Sequence, residues 1–393
     1  MVFAAGSAAV LAAPSVPVEM ARGITGGAAG PTVRVSTPDE LKYALCHSAA
    51  GGVCTDDAPR TIEVASTIDL SDTESTGHIQ ACHATSICTA PLQTEATLVM
   101  HPQDTHCDGK PLFDVTYRKA AVRGMLVGSN KTLLGVGAAG AIKGKGLLLQ
   151  NGVHNIIVRN LAFTDINQGL VFGGDAITIS QASQVWIDHN YFSRIGRQML
   201  VTGTGDHQGR VTDLVVSWNE FDGRNTYSAM CNGKHYWNLL LYGNGNVTMA
   251  DNWLHDFAGR GPRIQADVFV HLVNNYFQDG SWHALDADGP HTHVLMEGNY
   301  FDRVAVPSLR DKEPGAVFGL QAEVDSSSAA CDAALHRPCV PNAVSGARPA
   351  NSLQQDAAVL DDSRGMAQAA QLAISPSPDV PAAVRSGAGA GHW

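Results

Sequence analysis

Positive charge is scarce in this chain of 393 residues: 26 Lys and Arg against 37 Asp and Glu leave a formal charge of -11. That deficit excludes nucleic acid as a partner, because gripping a polyphosphate relies on clustered cations that displace counterions. A polyanionic substrate is disfavoured too, unless local arginines overcome the overall field. No run approaches the roughly 18 apolar residues of a membrane span, so no membrane partner is expected. No CxxC pair occurs among the eight cysteines, which sets aside zinc and redox motifs in favour of disulfides and an oxidising compartment. No Lys or Arg precedes Arg22; the start MVFAAGSAAVLAAPSV therefore resembles a secretory leader without its positive opening segment.

What is abundant is glycine, 40 residues, within a chain that is 44% apolar and only 16% charged. Such a balance suits many short strands joined by Gly and Asn turns, and predicts an all-β fold. Residues 1–30 read as a leader or disordered start, 31–342 as the functional domain, and 343–393, rich in Ala, Ser, Pro and Gly, as a partly disordered extension. Five cysteines fall in the loop-like stretch 46–107, and regular strands are expected from about Met125. Asn130 in NKT and Asn246 in NVT are candidate glycan acceptors.

From there, alternating apolar segments close repeatedly on Asn and a large side chain: NIIVRNLAF, VWIDHNYF, LVVSWNEF, VTMADNWL, VHLVNNYF and VLMEGNYF. The asparagines 160, 190, 219, 252, 275 and 299 recur every 23 to 33 residues or so, a solenoid period. Each unit reads as one coil of a parallel β-helix, whose inner face is buried only by stacking on its neighbours. Stacked Asn side chains would satisfy the backbone groups that a bend leaves unpaired. The best hairpin candidate is Asn-Gly-Asn at 244–246.

Three stretches carry candidate chemistry: GGDAITI at 173–179, WIDHNYFSRIGRQ at 186–198 and GRGPRIQ at 259–265. A stacked-coil fold brings Asp175, Arg197, Arg260 and Arg263 into one cleft, a set suited to a uronic acid carboxyl group. With GAIKGKGL, VRNLAFTDI and YSAMCNGKHYW in the same order from about Val122 to Phe301, these strings resemble the pectin lyase branch of the pectate lyase superfamily.

The resemblance implies a right-handed parallel β-helix, secreted, acting as a monomer on methyl-esterified galacturonan. It implies β-elimination: a base removes the C5 proton, the glycosidic O4 leaves, and a 4,5-unsaturated sugar forms. Negative charge grows on the carboxyl group, so cationic donors must meet it. Pectate lyases use calcium, which takes six to eight oxygen ligands, and carry further acids after WIDH. This chain has Arg194 and Arg197 there instead, with Asp175 as the expected partner of Arg197, so neither a metal nor another cofactor is expected. Arg260 matches the family's catalytic arginine, either as the base, its pKa lowered by Arg197 and Arg263, or as an electrostatic clamp. Pectin lyases often carry Lys where Arg263 stands.

Tyr236 and Trp237 match the family's cleft aromatics, whose faces stack on sugar C–H groups. Phe172 stands where relatives commonly have Trp, and QDTHC lacks the Trp found before the equivalent cysteine. Asp188, His189 and His235 are read as structural. The resemblance pairs Cys82 with Cys107, Cys88 with Cys231 and Cys331 with Cys339, leaving Cys46 and Cys54. Rival readings are a calcium-dependent pectate lyase, an inverting hydrolase with paired acids, for which only Asp361 and Asp362 stand adjacent, and a catalytically silent wall-binding homologue.

Overall fold

The computed structural model describes residues 19–85, 87–203, 210–310, 314–322, 324, 329–346 and 353–393. Parallel strands stack coil on coil. One nine-stranded sheet runs in strict sequence order from Thr67–Asp69 through Ala141–Lys143, Ala162–Ile166, Tyr191–Ile195, Glu220–Asp222, Trp253–His255, Tyr276–Gln278 and Tyr300–Asp302 to Ala343–Ser345. A second sheet of sixteen strands forms the remaining walls. Those walls merge because two long strands bend across both: Leu239–Ala250 pairs with Leu200–Thr202 and Arg210–Ser217, and Arg263–Val273 with His283–Asp288 and His293–Glu297.

The closing large side chain of each repeat enters the core. Phe163, Phe192, Phe221, Leu254, Phe277 and Phe301 stand in one register across the nine-stranded sheet. All are buried, and Phe192 stacks on Phe163 and Phe221 at 5.4 and 5.0 Å between ring centroids. Burying each side chain contributes roughly 1.5–3 kcal/mol.

The asparagine ladder exists but begins one coil later than the repeat suggested. The N–H groups of Asn190, Asn219, Asn252, Asn275 and Asn299 each donate to Oδ1 of the next member, ending at Asn342. Asn160 is not a rung. It occupies the preceding turn position, in the left-handed region at φ 59°, shared by His189, Trp218, Asp251 and Asn274. Leu161 holds the rung's place and its N–H donates to Asn190.

Three further expectations are corrected. Coils start well before Met125, since Thr32–Val35 pairs with Arg60–Val64 and that strand with Lys131–Gly135. Ile62, Val64, Ile68 and Leu70 fill the first coil, and the helix Pro38–Leu45 closes its end with Leu41 and Leu45. Asn-Gly-Asn 244–246 makes no hairpin: it lies inside Leu239–Ala250, paired in parallel on both sides, because the core face of that strand continues through Val247 and Met249. The stretch 343–393, where described, packs on the coils. Val380 and Val384 of the helix Val380–Gly387 bury against Tyr276. Ser375 and Gly391 N–H groups donate to Asn274 and Asn160, and Gly389 N–H to the Trp218 carbonyl. Residues 1–18 lie outside the described residues, whereas Thr25 and Gly26 dock through their N–H groups on Asn155.

All four disulfides form as paired above: Cys46–Cys54, Cys82–Cys107, Cys88–Cys231 and Cys331–Cys339. Cys88–Cys231 spans 143 residues and ties the N-terminal segment to a loop beside the cleft. Among the described residues no helix is long and apolar enough to cross a membrane. Both glycan candidates are engaged by neighbours: the Asn130 amide donates to the Asp57 carbonyl, and that of Asn246, within a paired strand, to Asp213.

Candidate active site

Successive coils deliver the four candidate charges to one wall. The Ala176 N–H donates to the Gln198 carbonyl, the Met199 N–H to Asn238 and the Leu239 N–H to Arg260, so Asp175, Arg197, Trp237 and Arg260 occupy consecutive coils. Arg263 opens the next strand and stands opposite Asp286. Asn238 fixes this stack from inside, its buried amide donating to the carbonyls of His235 and Gly259 on either side of it.

Arg197 faces Asp175, Nη1 to Oδ2 at 3.8 Å, and lies 4.9 Å over the Phe172 ring. Asp175 also accepts the Gln198 N–H at 2.8 Å. Burial pushes the Asp175 pKa up, while Arg197 and that N–H oppose it. A cleft of about 460 Å³ opens here, lined by Phe172, Asp175 and Arg197 together with His101 and Asp104.

Arg260 differs from its two neighbours. Among the described residues no carboxylate lies within ion-pair distance of it, and its Nε and Nη1 are buried without a hydrogen-bond partner. It adopts φ 46° and holds its guanidinium 4.4 Å over Trp237 and 5.9 Å from Tyr236. Burial, with Arg263 and Arg197 as like charges, lowers its pKa to about 10, against the pull of Tyr236 and Asp286. Arg263, by contrast, is paired, 3.0 Å from Asp288 and 3.6 Å from Asp286. Buried His283 is pushed down to about 4 by desolvation, and Arg260 and Arg263 add to that shift.

Residues that the sequence reading missed support this set. Asp286 and Asp288 alternate in ALDAD and so share a face with Arg263, a period-2 signal that was present in the chain. Glu95, buried, accepts the Trp237 indole N–H at 3.1 Å, and no local pattern marks it. His235, expected to be structural, places Nε2 at 2.8 Å from the Arg197 carbonyl and 3.0 Å from that of Trp237. Both partners are acceptors, so Nε2 carries the proton. Asp188 and His189 pair with each other, and Asp188 takes Arg159 and Ser217, none of them in the cleft. Arg194 turns away to Asp165.

The residues at Asp175 do not fit a divalent cation. Calcium gathers oxygen ligands, but here a guanidinium already stands against the carboxylate and would repel the ion. Glu220, Asp222 and His255 do cluster, on the nine-stranded sheet. There His255 bridges Glu220 and Asp256 while Arg224 neutralises Asp222, a closed ion network. The paired acids of an inverting hydrolase are not available at 361–362 either, since Asp362 is held by Arg364 and His293.

Residues 6–345 match the family model described as pectate lyase. The chain is 45% identical over 299 residues to the probable pectin lyase F of Neosartorya fischeri, covering 74% of this chain and 73% of that protein. To pectin lyase D of Aspergillus niger it is 38% identical over 346 residues, covering 87% of each. Among solved structures, a pectate lyase from Bacillus sp. N165 in complex with trigalacturonate aligns with a TM-score of 0.57 at 19% identity, over 97% of this chain and 99% of that one. At that identity the likeness shows the fold, a parallel β-helix.

Proposed function

The chain belongs to the pectate lyase family, and from that premise we propose that it is a pectin lyase, cleaving methyl-esterified α-1,4-galacturonan by metal-independent β-elimination. The observation that carries the chemistry is Arg260: a guanidinium with buried Nε and Nη1 and, among the described residues, no carboxylate partner, its pKa lowered to about 10. At pH 8 about one molecule in a hundred then holds it neutral, against far fewer for an ordinary arginine.

In that form Arg260 takes the C5 proton. The C5–H electron pair becomes the C4=C5 double bond, the C4–O4 bond breaks, and O4 leaves to be protonated by water. Arg197 and Arg263 supply the positive potential that the enolate-like carboxyl oxygen meets. Because Asp175, Asp286 and Asp288 offset those cations, the cleft favours a neutral ester over an ionised carboxylate. Tyr236, Trp237 and Phe172 offer ring faces to the sugars. Four disulfides support an extracellular site of action. Residues 31–342 serve as the catalytic unit, working as a monomer.

Incubation with highly methylated pectin in EDTA, following ultraviolet absorbance of the unsaturated product, tests this. A rise unaffected by chelator is expected. Activity confined to de-esterified polygalacturonate and abolished by EDTA would replace the proposal with calcium-dependent chemistry, and no rise on either polymer would make this a silent homologue.

A further inference from the structure

The cleft has a second aromatic end. Trp282, just before the strand His283–Asp288, leaves 38% of its surface exposed, one of the few large apolar side chains so displayed. Its ring lies 6.1 Å from Tyr236, tilted by 35°, and Tyr236 lies 5.1 Å from Trp237 edge to face. Trp237, Tyr236 and Trp282 thus form a row that begins beside the Arg260 guanidinium.

The coil order gives the row its direction. The Gly261 N–H donates to the Ala284 carbonyl, which puts Trp282 one coil beyond Arg260, on the side away from Arg197 and Phe172. From Phe172 to Trp282 the wall crosses five coils, roughly 19 Å at the usual spacing between paired strands. That span exceeds what two sugar rings at the scissile bond occupy.

The backbone that carries the ring is also anchored. The Ser281 N–H donates to the Phe257 carbonyl, Ser281 Oγ accepts from Asn232 at 2.9 Å, and the Trp282 carbonyl accepts from Val306 at 2.9 Å. Asn232 adjoins Cys231, so the Cys88–Cys231 bridge braces the same corner. An aromatic face carried into solvent on an anchored backbone, not packed into the core, is a ready platform for the C–H face of a pyranose.

We propose that Trp282 forms an outer subsite, stacking on a methyl-esterified galacturonate ring beyond those held at Tyr236 and Trp237. The proposal rests on the pectin lyase reading and adds a length preference to it: longer chains gain affinity through Trp282, and short ones do not. Because the ring is exposed and its anchors are backbone groups, Trp282→Ala leaves the fold intact, which thermal melting verifies.

The test compares wild type, Trp282→Ala and Trp282→Tyr on methylated pectin and on methylated trigalacturonate. The expected result is a KM on pectin raised about three- to ten-fold in Trp282→Ala, kcat within two-fold, no change on the trimer, and recovery in Trp282→Tyr. Equal KM values on pectin, or the same loss on both substrates, would overturn it. Quenching of tryptophan fluorescence by methylated hexagalacturonate, reduced in Trp282→Phe to the share that Trp237 supplies, reads the subsite even if the wild type turns nothing over. Quenching of undiminished size in that variant would also overturn it. Failure of the enzyme reading and failure of the subsite are thereby distinguished.

Discussion

Glu95 accepts the indole N–H of Trp237 at 3.1 Å, joining side chains 142 residues apart in the chain. Its other oxygen faces His235 Nδ1 at 3.7 Å, and His235 in turn donates toward the carbonyls of Arg197 and Trp237. A single buried carboxylate therefore orients the ring under Arg260. Replacing Glu95 by Ala should lower kcat at least ten-fold and destabilise the fold by about 1–3 kcal/mol, since it strands the Trp237 indole N–H. Steady-state kinetics and urea unfolding read the two effects; unchanged kcat would reduce Glu95 to a packing residue.

The Arg263 pair with Asp288 sets the charge of the cleft. Asp288 accepts Arg263 Nη2 at 3.0 Å and the Gln265 amide at 2.9 Å. Asp288→Asn removes one negative charge beside Arg263 and leaves that guanidinium, a like-charged neighbour of Arg260, less offset. The change disfavours protonated Arg260, so the rising limb of the pH–rate profile should move to lower pH by several tenths of a unit. The ratio of activity on de-esterified to methylated polymer should rise as well. Profiles that superimpose would show that Asp288 does not act on the reacting groups.

Acid should unfold this protein partly through Glu297. Its buried carboxylate is held by His271 at 3.1 Å and Arg337 at 2.7 Å, which lower its pKa to about 2 despite desolvation. A depressed folded pKa contributes stability that is full above the unfolded value of 4.5 and lost as pH falls toward about 2. The loss is on the order of 3 kcal/mol. Between pH 6 and pH 3 the part lost is about 2 kcal/mol, so urea midpoints at those two pH values should differ in wild type, and the difference should shrink in Glu297→Gln.

Much of the frame was legible because its signals are periodic. Asn followed by an aromatic marks the bend and the core position of each coil, and this pattern placed Phe192, Phe221, Phe277 and Phe301 correctly. The misplaced rung at Asn160 shows the limit. A ladder residue and a left-handed turn residue are adjacent, both favour Asn, and only the partner coil distinguishes them. The C-terminal stretch was unreadable for another reason. Its contacts with Trp218, Asn274 and Asn160 lie 101 to 231 residues away for those through side chains, and its Ala and Gly content suits close docking on a surface as well as it suits disorder. In the cleft, Asp175, Arg197, Arg260 and Arg263 came from motifs. Glu95 and Trp282 came from no motif, since single residues in irregular segments carry no period.

The central claim is that a guanidinium of the protein, with no bound metal, removes the proton. The most direct test is kcat/KM on highly methylated pectin in EDTA from pH 6 to 9, corrected for the enzyme-free reaction, in wild type and Arg260→Ala. The account predicts a wild-type rate rising close to ten-fold per pH unit toward about 10, and loss of turnover in a folded Arg260→Ala. A flat wild-type profile, or turnover retained without Arg260, would contradict it.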